Sequence, residues 1–135
     1  MKSITLPAVI ENLGECIDFV RACVGEYISL DKKMMEIELV IEEALVNIFS
    51  YAYPGTPGQV EIHCDCGDGT KITIEIKDNG IPFDGFFSRP DPDIKRDLKH
   101  RKIGGLGIFF IKKMADEVRY HRSGGTNVLT VVFYV

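Results

Sequence analysis

Hydrophobic residues recur along this chain with two periods, one typical of helices and one typical of strands. A short apolar stretch over 3–7 predicts a first strand. From about residue 8 to 28, apolar residues follow at steps of three and four, which predicts an amphipathic helix. A second and more apolar helix is expected over about 32–53, with Ser29 or Asp31 as its N-cap.

Alternation of apolar and polar residues marks much of the second half of the chain. Two alternating segments, 59–66 and 70–77, are joined by "GDG" and predict a hairpin. A polar loop follows over 85–103, then a helix over 104–118, then two closing strands joined at "SGG". This order predicts one α+β domain over 1–135, a two-layer sandwich with helices on one face of a mixed, mainly antiparallel sheet.

Composition narrows the class of protein. The chain has 135 residues, of which 45% are hydrophobic and 27% charged, as in a globular domain. Its net charge of −4 argues against nucleic acid as a direct partner, because phosphate binding needs positive charge. No apolar stretch approaches the ~20 residues of a membrane span, and acids interrupt the N-terminal segment where a signal peptide would be apolar. We therefore expect a soluble, cytoplasmic protein without membrane contact.

The four cysteines form two pairs, and each pair shares a face of its predicted element. Cys16 and Cys23 lie seven residues apart in the first helix, and Cys64 and Cys66 alternate along a strand. We interpret them as small buried residues in a reducing compartment. A metal site is one alternative, but the helix spacing does not suit a zinc ligand pair and "CDC" lacks the usual two-residue gap. A disulfide is the other.

The segment "EEALVN" places an acid and an amide on the most apolar predicted helix. Glu43 and Asn47 are four residues apart and are therefore neighbours on one helix face. One reading is a boundary glutamate that reaches solvent and an asparagine that bonds nearby backbone. The other reading is a ligand for Mg²⁺ with a base beside it, because Mg²⁺ prefers oxygen ligands.

The segment "DNGIPFD" over 78–84 follows directly on an apolar strand. Gly80 and Pro82 indicate a turn. Asp78 stands at the end of the strand, where water is scarce. A buried carboxylate needs a partner, since burying it unpaired is costly.

Two glycine-containing segments could bring backbone close to a ligand. "GGLG" over 104–107 opens a predicted helix, whose free N–H groups attract phosphate. A plain glycine-rich turn is the alternative. The segment is neither a P-loop, because no Gly-Lys-Ser/Thr follows, nor a dinucleotide fingerprint. "SGGTN" over 123–127 is a hairpin turn in which Thr126 offers a hydroxyl.

The loop over 85–103 is long for a compact domain, and it is basic within an acidic protein. A solvated loop explains the charge, whereas a lid over phosphates explains the charge and the length together. Its cations are Arg89, Lys95, Arg96, Lys99, Arg101 and Lys102, and its acids between 86 and 102 are Asp91, Asp93 and Asp97.

Taken in order, these segments resemble the GHKL (Bergerat) ATP-binding fold of histidine kinases, type II topoisomerases, mismatch-repair ATPases and heat-shock chaperones. The resemblance is closer to a small stand-alone branch, the anti-sigma factor serine kinases. It is carried by "ELVIEEALVNIFSYAYPG", "IEIKDNGIPFDG" and "IGGLGIFFIKKMADEVRYHRSGGTNVLTV". These stretches extend the similarity over essentially the whole chain.

The resemblance implies a role for each anchor. The acid matching Asp78 accepts a hydrogen bond from the adenine amino group, and Gly80 lets the base come close. Thr126 assists adenine recognition through water. Asn47 binds Mg²⁺, and Glu43 is the general base. The other nucleotide-binding positions that it implies are Pro82, Phe83, Gly104, Gly105, Leu106 and Gly107, beneath a lid formed by the basic loop.

Three positions depart from the common pattern of the family. Tyr51 stands where many relatives have histidine, and Ile48 and Phe49 are bulkier than the usual small residues. These side chains would reshape the pocket wall, but they leave Glu43 and Asn47 in place.

The resemblance implies a Mg-ATP-dependent serine/threonine protein kinase of the anti-sigma type. Such a protein phosphorylates a serine of a STAS-domain antagonist and sequesters a sigma factor or a similar regulator. Relatives are commonly dimers, so the apolar first helix and strand predict a homodimer. A non-catalytic switch that binds ATP and a partner is an alternative, and a simple ATPase is another. A complete sensor histidine kinase is not expected, because 135 residues leave no room for its helical hairpin and acceptor domain.

Overall fold

The structure, a computed structural model, describes residues 1–29, 31–82 and 105–135, with the backbone alone for 105–108. The predicted lid over 85–103 lies outside the described residues, as do Phe83 and Gly104.

The sheet has five strands in the order β1-β2-β3-β5-β4, and among the described residues every pairing is antiparallel. The strands are β1 (Lys2–Pro7), β2 (Gln59–Asp65), β3 (Lys71–Asp78), β4 (Glu117–Ser123) and β5 (Thr126–Tyr134). Glycines with positive φ make both predicted hairpin turns, at Gly67 and Gly69 and at Gly124 and Gly125. The predicted α+β class with a mainly antiparallel sheet is confirmed.

Three α-helices are described: α1 (Leu13–Val24), α2 (Lys32–Tyr51) and α3 (Gly105–Met114). Asp31 caps α2 as predicted, because its side chain accepts hydrogen bonds from the backbone N–H groups of Lys33 and Met34. None of the helices in the described part of the chain has the length and apolarity needed to cross a membrane.

Two predicted helices are shorter than expected. The first does not begin near residue 8, because Val9 is extended and a 3-10 turn precedes α1. The last does not reach 118, because α3 ends at Met114 and the Asp116 N–H donates to the Val132 carbonyl oxygen at 2.9 Å. The residues after Met114, which were predicted to be helical, therefore pair with β5 instead.

The core lies between the helices and one face of the sheet. In β2 and β3 the residues on this face are buried, and those between them are half-buried or exposed. The core-facing residues are Val60, Ile62, Cys64, Ile72, Ile74 and Ile76 from the sheet, and Ile37, Val40, Ile41, Ala44, Leu45 and Ile48 from α2. This one-sided burial produces the predicted two layers.

All four cysteines are buried and none forms a disulfide, as the interpretation as core residues predicts. Burial raises the pKa of the Cys16 thiol and of the Cys66 thiol to about 11 each. It also raises the pKa of the Cys64 thiol. Since these three thiols keep their protons near neutral pH, they pack as small apolar groups.

Candidate functional site

Asp78 lies at the carboxyl end of β3 with only 3% of its surface exposed. Its Oδ1 accepts hydrogen bonds from the Gly80 N–H and from Asn127 Nδ2, both at 2.9 Å. Burial raises the pKa of this carboxyl, against the opposing effects of these two bonds and of the Arg122 charge. Both of the hydrogen bonds that Asp78 accepts from the described residues therefore go to the same carboxylate oxygen.

Asn127, at the start of β5, holds this end of the sheet together and is 1% exposed. Its Nδ2 also donates to the Ile81 carbonyl oxygen at 2.9 Å. Its Oδ1 accepts from the Tyr120 hydroxyl at 2.6 Å and from Arg122 Nη1 at 2.9 Å. Arg122 Nη1 also lies 2.9 Å from the Gly80 carbonyl oxygen. The buried Asn127 amide thus bonds four polar groups: the Asp78 carboxylate of β3, the Ile81 carbonyl of the following turn, and the Tyr120 hydroxyl and Arg122 guanidinium of β4.

Sequence reasoning gave no role to Asn127, Tyr120 or Arg122. A signal was available, because Asn127 is the one amide side chain in a strand of apolar residues and threonines. The register pairs Asp78 directly with Asn127, so the amide and the acid meet across two strands. Only the pairing of β3 with β5 reveals this contact.

Gly80 packs against Ala52, the residue that follows α2, and leaves no room there for a side chain. A Cβ added at Gly80 would lie 2.2 Å from the Ala52 carbonyl oxygen, far inside van der Waals contact. The next residue, Ile81, donates its N–H to the same oxygen at 2.8 Å. Glycine therefore lets the turn after β3 fasten to α2. That it also admits a base, as the resemblance implies, stays a prediction.

Asn47 is buried on α2, and its Nδ2 donates to the Glu43 carbonyl oxygen at 2.9 Å. It lines a cavity together with Asp78, so the structure brings these two predicted residues together. Ala44, Ile48, Tyr120, Asn127 and Leu129 complete the lining. The cavity volume is about 10 Å³, enough for one water molecule, so a purine needs the lining side chains to move apart.

Glu43 lies one turn before Asn47 on α2 and is half-buried. It lines a second cavity, of about 210 Å³, whose other walls are apolar. Those walls are Leu39 and Val40 of α2 and Phe110 and Met114 of α3. The carboxylate thus stands beside, and not inside, the cavity of Asp78 and Asn47, between the helix that carries it and the helix that the "GGLG" segment opens.

The predicted glycine-rich helix start is present. The helix α3 begins at Gly105 and runs for 10 residues, so its first N–H groups have no partner within the helix. The backbone of Gly107 lies in its first turn. Nothing is described for the side chain of Leu106.

Thr126 lies at the start of β5 near the same end of the sheet. Its hydroxyl donates to Asn79 Oδ1 at 2.9 Å, and it lines a cavity together with Lys77, Asp78 and Asn79. Pro82 is exposed. The contact of Thr126 with Asn79 holds the turn after β3, and its part in adenine recognition stays a prediction.

Comparison with known proteins gives the family of the chain. A family model described as histidine kinase-like ATPase domain matches residues 6–133. Since the match covers nearly the whole chain, the protein belongs to this family. The predicted GHKL fold is thereby confirmed, and the family implies a nucleotide ligand.

The chain is also similar to particular curated proteins. It is 29% identical over 97 residues to the serine-protein kinase RsbW of Bacillus cereus (strain AH820), covering 70% of this chain and 60% of the relative. It is 26% identical over 98 residues to the serine-protein kinase RsbW of Listeria monocytogenes, covering 70% and 62%. The chain thus matches less than two thirds of these relatives, and the similarity to this branch is distant.

Proposed function

We propose that this chain is a Mg-ATP-dependent serine/threonine protein kinase of the anti-sigma type. The observation that carries the proposal is the buried Asp78 carboxylate, whose Oδ1 is oriented by two hydrogen bonds and which lines a cavity together with Asn47. The distant similarity to serine-protein kinases supports the choice of reaction.

Asp78 would select the base. A carboxylate oxygen accepts a hydrogen bond from the adenine amino group, whereas guanine presents a carbonyl at that position. Repulsion between that carbonyl and a buried acid would exclude GTP. Because Gly80 N–H and Asn127 Nδ2 already hold Oδ1, the acid is oriented before the nucleotide arrives.

Asn47 would act on the phosphates by binding Mg²⁺, and Glu43 would act on the acceptor serine. Donation from Asn47 Nδ2 to the Glu43 carbonyl directs Asn47 Oδ1 away from that carbonyl, and an amide oxygen suits Mg²⁺. Bound Mg²⁺ would neutralise phosphate charge. Glu43 would take the proton of the attacking serine hydroxyl as the γ-phosphoryl group passes to its oxygen and ADP leaves. The N–H groups at the start of α3, at Gly105 and Gly107, would contact the phosphates.

The proposed anti-sigma type of kinase also implies its partners. The phosphorylated protein would be a STAS-domain antagonist, and a sigma factor or a similar regulator would be sequestered. We further propose a homodimer, and a single domain over 1–135 whose residues 85–103 close over the nucleotide.

Nucleotide binding is tested first. Calorimetric titration with ATP and GTP, each with and without Mg²⁺, should show Mg-dependent ATP binding that excludes GTP. Asp78→Asn should weaken ATP binding by roughly 10–100-fold, as expected for a lost hydrogen bond to a charged group of about 1.5–3 kcal/mol. Asp18→Asn, at an exposed position of α1, is the matched control. Absence of ATP binding by the native chain would refute the kinase.

Phosphoryl transfer separates the kinase from the non-catalytic switch. Glu43→Gln should abolish labelling of a STAS-domain substrate from labelled ATP while ATP binding persists. Glu42→Gln is a close control, because Glu42 is the exposed neighbour on the same helix. Retained transfer in Glu43→Gln would remove Glu43 as the base. A native chain that binds ATP and labels no STAS-domain substrate would favour the switch.

A further inference from the structure

Three buried thiols from two distant segments converge at the other end of the core. Cys23 belongs to the last turn of α1, Cys64 lies near the end of β2, and Cys66 follows that strand directly. Cys66 Sγ is 4.0 Å from Cys23 Sγ and 3.9 Å from Cys64 Sγ. All three sulfur atoms lie within 4.8 Å of one another, the one such group of potential metal ligands in the described part of the chain.

The sulfur triangle has the size of a metal-thiolate site. Thiolate sulfurs about 2.3 Å from one metal ion stand roughly 3.8–4.0 Å from each other, whether the ion is tetrahedral or trigonal. The Cys66–Cys23 and Cys66–Cys64 sulfur distances agree with this spacing, and the third side is at most 4.8 Å. An ion could therefore enter between the sulfurs with little movement of α1 or β2.

The surroundings also suit a cation. Helix α1 ends at Val24, directly after Cys23, and the carboxyl end of a helix carries partial negative charge. The carbonyl oxygens of Cys64 and Cys23 each lie 3.9 Å from a thiol of the group. Cys23 and Cys66 are buried but not fully enclosed, with 5% and 4% of their residue surface exposed.

Lys2 is a cationic residue on the strand next to Cys64. Lys2 pairs with Cys64 across β1 and β2, so both side chains lie on the same face of the sheet. Lys2 is also bonded to Glu26, just beyond the end of α1, at 2.7 Å. A cation and an acid thus lie on the sheet and helix segments that carry Cys64 and Cys23.

We propose that Cys23, Cys64 and Cys66 form a binding site for one soft metal ion, Zn²⁺ or Cu(I), which thiolates select. Each thiol gives its proton to solvent as its sulfur binds the metal. The site is separate from the nucleotide site. Cys64 is four residues along β2 from Val60, the partner of Asp78, a separation of roughly 13 Å at ~3.3 Å per residue. The inference goes beyond the proposed kinase and does not depend on it.

The test uses the full chain, reduced, stripped of metal and free of nucleotide. Zn²⁺ alone and Cu(I) alone are titrated against a competing chelator, and thermal unfolding is followed with and without each ion. We expect one ion per chain for at least one metal, with a higher Tm, because an ion that binds the folded state stabilises it. Cobalt as a spectroscopic probe should give thiolate-to-metal charge-transfer absorption.

Cysteine variants locate the ion. Cys66→Ser should weaken binding by about 100-fold or more, beyond the ~10–100-fold effect of residues that only orient metal ligands. Cys16→Ser is the matched control, because Cys16 is equally buried on α1 but outside the group and should leave binding unchanged. Circular dichroism checks the fold of each variant.

Two results would overturn the site. One is the absence of stoichiometric binding of either ion by the native chain, a measurement that no variant's misfolding can obscure. The other is an equal loss of affinity in Cys16→Ser and Cys66→Ser. Failure of ATP binding would leave this result untouched, so the two proposals fail separately.

Discussion

The two ends of the β2–β3 strand pair bury titratable groups in different ways. At one end, Asp78 is held by an amide and a backbone N–H and belongs to a network that includes Tyr120 and Arg122. At the other end, Cys64 and Cys66 touch mainly another thiol and backbone carbonyls at sulfur-contact distances. At the Asp78 end, amide and backbone N–H groups donate strong hydrogen bonds. At the cysteine end, the donors are thiols, which form only weak ones.

This difference predicts which end of the strand pair tolerates the loss of a side-chain group and which does not. Removing a member of a satisfied polar network leaves its partners buried without bonds, which is costly. Removing one thiol from a group of thiols removes little more than a sulfur atom's contacts. The two ends should therefore respond to substitution by different amounts.

The largest effect is expected at Asn127. Asn127→Ala deprives Asp78, Tyr120 and Arg122 of a bonding partner in the interior, and it should lower the free energy of unfolding by about 3 kcal/mol. Urea unfolding measures it. Asn12→Ala, which removes one exposed bond to the Pro7 carbonyl, should change stability far less. Equal losses in both variants would mean that the network adds nothing to the fold.

A smaller loss is expected at Gly80. Gly80→Ala places a Cβ against the Ala52 carbonyl and should lower the free energy of unfolding by about 1–3 kcal/mol, the usual cost of overpacking. Gly14→Ala is the comparison, because a Cβ there meets nothing within 4 Å and alanine favours a helix. Thermal unfolding of both should give Tm changes of opposite sign, and a neutral Gly80→Ala would contradict the close packing.

The pH dependence of stability tests the burial of Asp78. Because its pKa is raised in the folded state, its contribution to stability is fully present below 3.8 and is lost as pH rises through the raised pKa. Asp78→Asn cannot ionise. The stability of the variant relative to the native chain should therefore increase from acidic to neutral pH in urea unfolding. A difference that does not vary with pH, as expected for exposed Asp18→Asn, would argue against a raised pKa.

The smallest effect is expected at the thiol end. In metal-free protein, Cys66→Ala removes one sulfur and should lower the free energy of unfolding by about 1 kcal/mol, comparable to ~0.8 kcal/mol for a buried methylene. Chemical denaturation of native and variant chains measures it beside Asn127→Ala. A loss as large as that of Asn127→Ala would erase the contrast between the two ends.

Local signals predicted most of the fold. Asp31 as a helix cap and the glycines of both hairpins depend on neighbours in sequence, and each is found in the structure. The end of α3 was missed because it depends on a hydrogen bond from Asp116 to a distant strand. The helical pattern of apolar residues continues beyond Met114, whereas in the structure the residues from Glu117 belong to β4.

The site was predicted in part for the same reason. Glu43 and Asn47 share one helix and Asp78 ends one strand, so sequence spacing and an ordered set of motifs could propose them together. The contact of Asp78 with Asn127 joins residues 49 positions apart. The thiol group joins residues 43 positions apart, and the cysteines were judged as two separate pairs. Strand register and helix packing decide such contacts.

The close approach of Gly80 to Ala52 has a genetic consequence. The atoms that a side chain at position 80 would strike include the carbonyl carbon and oxygen of residue 52, which every amino acid carries. A smaller residue at 52 cannot remove them. A lesion at Gly80 should therefore have no intragenic suppressor at its contact partner, and second-site revertants should carry their changes elsewhere in the chain.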